Sequence, residues 1–169
     1  MGDAQKDIGM NTLVTCLVVR VMRGAAFATT WTVDDDGKAN FDNIQAAVNA
    51  ASDGDEIIVM PGMYTGSGDY AVNMNGKAIL LRSQDGPDKT IISGQGQRVV
   101  IFCGNNETSS TTISGFKIVQ GNSTFGGGMR FSGASPIVEN CIFENNTAVF
   151  GGGIRAIGGG IIHITDCQF

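Results

Sequence analysis

A chain of 169 residues is long enough for one domain with its own core, and that domain can be a single elongated one. A formal net charge of −5 argues against nucleic acid or an anionic membrane surface as partner. Only 16% of residues are charged; Asn, Ser, Thr, Gln and Gly fill the deficit, as in a surface built from stacked turns.

The first thirty residues differ from the rest. Thr12–Val19 is a short apolar run, and Ala26-Phe-Ala28 supplies small residues where a signal peptidase reads. The run is too short to span a bilayer as a helix. Residues 1–28 are therefore expected to be a bacterial-type export signal, leaving a secreted or cell-surface mature chain near Thr29 with no membrane span. Arg20 and Arg23 follow the run instead of preceding it, and Asp3, Lys6 and Asp7 occupy the place of a basic leader. Initiation at Met10 would remove those acids. Cys16 follows Thr15, a poor context for lipidation, so no lipoprotein is expected.

Trp31–Val33 reads as a strand and Asp34-Asp-Asp-Gly37 as an acidic turn. A calcium loop with Gly37 at its sixth position would need an acid at Thr32 and a bidentate Glu at Asn43, and both are missing. A helix is predicted over about 41–52, with Ile44, Ala47, Val48 and Ala51 on one face. Asn40 or Asp42 can cap its start, Asp42 with Gln45 fits a capping box, and Gly54 closes its end. Strands follow at Asp55–Met60, Ala78–Arg82, Thr90–Ser93 and Val99–Phe102. Each of the last three is followed by a turn-rich segment, at 84–88, 94–97 and 105–110.

From about residue 112 the chain repeats itself. Phe125-Gly-Gly-Gly-Met129 returns 25 residues later as Phe150-Gly-Gly-Gly-Ile154, and Val138-Glu-Asn-Cys141 returns at an offset of 26 as Ile164-Thr-Asp-Cys167. Such a period marks a stacked-repeat architecture. Leucine is too rare for a leucine-rich repeat, and β-branched and aromatic alternation broken by Gly and Asn favours short strands joined by turns. Met129, Phe131, Ile154 and Ala156 would point inward, Arg130 and Arg155 outward. Gly126, Gly127, Gly128, Gly151, Gly152 and Gly153 are read as structural corners, where glycine reaches positive φ without steric cost. Asn146 has Gly121 as its counterpart one coil earlier, so no asparagine ladder is expected. The fold class is an all-β solenoid, a parallel β-helix of about five coils with an N-terminal capping α-helix.

Two segments carry a resemblance. The run Asn43-Ile-Gln-Ala-Ala-Val-Asn-Ala-Ala-Ser-Asp-Gly-Asp-Glu-Ile-Ile-Val-Met-Pro-Gly-Met-Tyr-Thr65 is similar to the N-terminal cap and first coil of pectin-lyase-like right-handed parallel β-helix proteins, an opening that pectinesterases share. Phe143-Glu-Asn-Asn146 and Gly151-Gly-Gly-Ile154 resemble the FxxN and GGAI repeats of polymorphic outer-membrane proteins and related exported β-helix proteins. The resemblance spans residues 31–169. It implies a right-handed β-helix over 29–169 whose first helix plugs the open end of the stack. It implies no single activity, because the superfamily mixes lyases, hydrolases, esterases and non-catalytic adhesins.

The chemistry-bearing residues are few. Cys141 and Cys167 share a repeat position and would stack one coil apart, either as inward thiols, the simpler reading, or as a disulfide. Cys103 and His163 have no evident partner. Arg130 and Arg155 would stand one above the other, where like charges repel unless an anion or carboxylate sits close. A solvated pair balanced by Glu139 or Glu144 is the favoured reading; the alternative is a ligand-binding pair for carboxylated sugar or sulfate. In pectate-lyase-like enzymes an arginine base works beside carboxylate-held calcium, and neither that carboxylate cluster nor the catalytic signatures of pectinesterases occurs at matching positions.

The expected function is thus an exported, non-catalytic module for adhesion or glycan binding, with a polysaccharide or cell-surface glycan as partner and no cofactor. The alternative is a polysaccharide lyase or carbohydrate esterase, with calcium in the lyase case, whose active coils are degenerate or lie beyond residue 169. Ile164–Phe169 begins a further coil with no cap after it, so the chain is expected to be an incomplete portion of a longer β-helix or to associate end to end.

Overall fold

The computed structural model describes residues 28–105 and 107–169. The expected export signal and Cys16 lie outside the described residues. The rest of the chain is a parallel β-solenoid of about five turns with one helix. The first turn contains β1 (Thr30–Val33) and α1 (Ile44–Ala50). The second holds β2 (Glu56–Val59), β3 (Gly62–Thr65) and β4 (Tyr70–Asn73). The third holds β5 (Leu80–Ser83), β6 (Thr90–Ser93) and β7 (Val99–Cys103). The fourth has four strands, β8 (Thr112–Ser114), β9 (Lys117–Val119), β10 (Asn122–Phe125) and β11 (Met129–Ser132). The fifth repeats that plan as β12 (Ile137–Glu139), β13 (Ile142–Glu144), β14 (Thr147–Phe150) and β15 (Ile154–Ile157), and β16 (His163–Thr165) starts the next.

Three sheets form the walls, in the orders β1-β2-β5-β8-β12-β16, β3-β6-β9-β13 and β4-β7-β11-β15. The repeat offset sets the register: Ile113 pairs with Val138, and Val138 with Ile164. Each wall sends apolar side chains inward in columns. Ile57, Leu81, Ile113 and Val138 form the first; Tyr64, Ile92, Ile118 and Phe143 the second; Val72, Ile101 and Met129 the third. All are buried, and each contributes about 1.5–3 kcal/mol by leaving water.

Helix α1 closes one end with Ile44, Ala47 and Val48 buried. Its cap differs from the expectation. Asn43 is the N-cap, its Oδ1 accepting from Ala46 N at 2.8 Å, while Asn40 is drawn away to accept from Thr32 N and Oγ1. Gln45 makes no capping box; it clasps the Asn73 backbone, accepting from N at 2.7 Å and donating to O at 3.1 Å. At the other end Lys77 Nζ donates to Val48 O, Asn49 O and Ala51 O, so a cation from the next coil takes up the last helix carbonyls. Gly54 is left-handed (φ 91) but lies beyond the C-cap residue Ala51, in the turn into β2. Asp55, buried in that turn, accepts from Thr29 N, Ser52 N and Trp31 Nε1.

The glycine triplets divide their work. Only the first member of each is left-handed, Gly126 at φ 70 and Gly151 at φ 72. Gly127 and Gly128 are glycine because the next coil approaches too closely for a side chain. A Cβ on Gly127 would lie 2.6 Å from Thr147 O and 2.7 Å from Gly152 O, and one on Gly128 would lie 2.5 Å from Gly153 O. Two further corner columns are left-handed, Gly115, Asn140 and Asp166 in one and Gln95, Gln120 and Asn145 in the other. Asn146 reaches across one coil: its Nδ2 donates to Ile118 O and its Oδ1 accepts from Gly121 N, both at 2.8 Å.

Candidate functional site

The third wall carries the largest concentration of unused chemistry. On its outer face Asn73, Phe102, Arg130 and Arg155 occupy one rung position across β4, β7, β11 and β15. Sheet spacing therefore puts neighbouring members about 4.8 Å apart along the backbone. The alternation Met129-Arg130-Phe131 enforces this phase, since Met129 and Phe131 are fully buried.

Strands β10 and β14 pair with each other outside the three walls. They carry Phe125 and Phe150 back over the arginines. The two rings stack with centroids 5.7 Å apart and planes 16° from parallel. Arg155 Cζ lies 4.4 Å from the Phe125 centroid and 5.1 Å from that of Phe150. Arg130 Cζ lies 5.8 Å from Phe125 and 5.7 Å from Phe102. Phe102 stacks in turn on Tyr70 at 4.3 Å. The result is a ladder of two guanidinium planes held among aromatic faces, a geometry worth about 0.5–2 kcal/mol per contact according to exposure.

Electrostatically the ladder is unfinished. Among the described residues no carboxylate forms an ion pair with Arg130 or Arg155. The Nε atoms of both are buried without a hydrogen-bond partner, as are Nε and Nη1 of Arg98 just before β7. Glu139 and Glu144 do not balance the arginines. Glu139 lies on β12 in the first wall, and Glu144 lies on β13 in the second, where it pairs with Lys117 at 3.5 Å. A sequence distance of nine to sixteen residues spans a corner here, so these acids face other directions. Two adjacent cations with no counter-charge among the described residues have the chemistry to accept an anion with several oxygens.

The sequence reading missed Tyr70, Phe102 and Arg98, and treated Phe125 and Phe150 as markers of the repeat. For Phe125 and Phe150 a signal was present: phenylalanine and arginine recur together, five residues apart, at the same 25-residue offset. The glycines between them provide the turn that brings ring and guanidinium together.

Cys141 and Cys167 are free thiols stacked one coil apart at the first corner. The neighbouring Cys141 thiol pulls the Cys167 thiol down to about 7, while Cys167 and burial push Cys141 up. Cys103 is buried and its thiol raised well above the usual range, by burial and then by the Glu107 charge. His163 is exposed on β16. Among the described residues no three His, Cys, Asp or Glu side chains converge as a metal would require, and no helix is long and apolar enough to cross a membrane. No protein-family model matches the chain, and no curated protein matches it.

Proposed function

We propose that this chain is an exported β-helix module of the pectin-lyase-like type, with repeats akin to those of polymorphic outer-membrane proteins, that binds an anionic glycan at the surface or outside of the cell without catalysis. One observation carries the reading: Arg130 and Arg155 stand in adjacent rungs, flanked by Phe125 and Phe150 and without an acidic partner among the described residues. A carboxylated or sulfated sugar offers what the ladder lacks, paired anionic oxygens for the guanidinium forks and ring C–H faces for the phenyl groups. The lyase alternative would need carboxylates gathered beside the same arginines, and the nearest acids in sequence sit on other walls. Export rests on the apolar run Thr12–Val19 and the small residues at Ala26 and Ala28.

Titration with polygalacturonate and with heparin by calorimetry tests the reading. Binding is expected that weakens as salt rises and is lost in the double variant Arg130→Met, Arg155→Met. Absence of binding to both polymers would refute the glycan reading. Growth of unsaturated-uronate absorbance on polygalacturonate would replace it with the lyase. N-terminal sequencing of secreted material is expected to begin near Thr29, and a start at Met1 or Met10 counts against export.

A further inference from the structure

A second candidate site lies at the plugged end, on a surface that uses none of the ladder's charges. A cleft of about 580 Å³ opens between α1 and the β3–β4 connection, lined chiefly by Asn43, Asn49, Asp69, Tyr70, Asn73 and Asn75. Its amides are fixed in place by one another. Asn49 Oδ1 accepts from both Gln45 Nε2 and Asn75 Nδ2 at 3.0 Å, and Asn73 Oδ1 accepts from Asn75 N at 3.0 Å. Gln45 is held by the Asn73 backbone, so the network is anchored to the sheet. Asn75 is itself left-handed (φ 56), which sets where its side chain projects.

This arrangement consumes half of each amide and leaves the other half open. Among the described residues Asn49 Nδ2, Asn73 Nδ2 and Asn75 Oδ1 have no partner, nor does the Asp69 carboxylate. Two donors and two acceptors thus remain among the residues that line the cleft. The Tyr70 ring, backed by Phe102, adds a rigid aromatic wall. No lysine, arginine or histidine lines the cleft, and Asp69 is its one charge. An anion would meet repulsion there, and a purely apolar ligand would strand the amides.

We infer that this cleft binds a neutral, polyhydroxylated ligand, a saccharide whose adjacent hydroxyls each donate and accept. Asn49 and Asn73 donate to hydroxyl oxygens, Asn75 and Asp69 accept from hydroxyl protons, and the Tyr70 ring packs on a sugar face. The cleft borders the ladder through Asn73 and Tyr70 but contains neither arginine, so it differs from the ladder in charge and in salt response.

The test is calorimetric titration of the full chain with cellohexaose, mannohexaose, maltohexaose and chitohexaose. At least one is expected to bind, with an affinity indifferent to salt. Asn75→Gly keeps the left-handed backbone while removing the amide, and Asn49→Ala removes an exposed helix side chain. Each is expected to weaken binding by about tenfold, the loss of one or two hydrogen bonds, without lowering the melting temperature by more than a few degrees. Arg130→Met with Arg155→Met is expected to leave this binding unchanged. Failure of all four hexasaccharides to bind at millimolar concentration overturns the inference, as does binding that both amide variants leave intact. Binding that disappears only in the arginine double variant also overturns it, while upholding the ladder.

Discussion

Asn146 is the side chain whose removal probes the coil-to-coil contact most directly. In Asn146→Ala, Ile118 O loses the Nδ2 donor and Gly121 N–H loses the Oδ1 acceptor, two bonds of 2.8 Å to the neighbouring coil. The side chain is half-buried, so water repairs part of the damage. Each lost bond costs about 1 kcal/mol net and up to about 3 if its backbone partner stays dry, so with water repairing at least one of the two the sum is about 2–4 kcal/mol. For a chain of this size that lowers the melting temperature by roughly 10 °C. Far-UV circular dichroism melts and urea titrations measure it. Asn145→Gly is the internal control. Asn145 holds a left-handed corner at φ 56, and glycine takes that conformation freely, so the neighbouring amide is removed at little cost. A loss below about 0.5 kcal/mol for Asn146→Ala would refute the reasoning, since that is the range of an ordinary surface substitution.

Other outcomes follow from single contacts. Burial would raise the Asp55 carboxyl, but bonds from Ser52 N–H, Thr29 N–H and the Trp31 indole, with the Lys77 charge, hold it below its ordinary 3.8. Its stabilisation is therefore present above about pH 4 and lost as pH falls through the depressed value, and Asp55→Asn should flatten the acid limb of a urea-midpoint profile. Cys167, near 7 when folded against 9.0 ordinarily, releases its proton earlier in the folded state, so stability should rise from about pH 7 to 9. Cys141→Ala should abolish that rise and return iodoacetamide alkylation of Cys167 to the usual thiol pH range. Met129→Asp, fully buried, should unfold the stack, whereas Ile154→Asp, only half-buried near the last coil's edge, should cost less; equal losses would contradict the burial order. Among the described residues every large exposed apolar side chain except Met63 lies on the last coil or just after it. Light scattering should therefore detect self-association of the purified chain, relieved by Val149→Lys with Ile161→Lys.

Much of this molecule could be read from one dimension. In the regular repeats, offsets of 25 and 26 residues fix which residues stack: Ile113 pairs with Val138, and Val138 with Ile164, as those offsets require. Period-two alternation fixes the inward and outward phases, and period-three-to-four spacing fixes the buried face of α1. Both are local consequences of backbone geometry and survive in any fold that keeps those strands and that helix.

The sides of the coil were not legible in the same way. How far a corner swings the chain depends on left-handed residues such as Gln95 and Gln120, whose side chains announce no such preference. Corner geometry sends Glu139 and Glu144 to other walls and folds Phe125 and Phe150 back over Arg130 and Arg155, so the expected acidic counter-charges gave way to aromatic rings. The amide cleft is further from view still, because Asn49, Asn73 and Asn75 meet only when α1 is laid across the second coil. Local sequence specifies the repeat, its register and its core, since those follow from backbone periodicity. The pairing of side chains from different turns follows from three-dimensional closure of the coil, which no single stretch of the chain encodes.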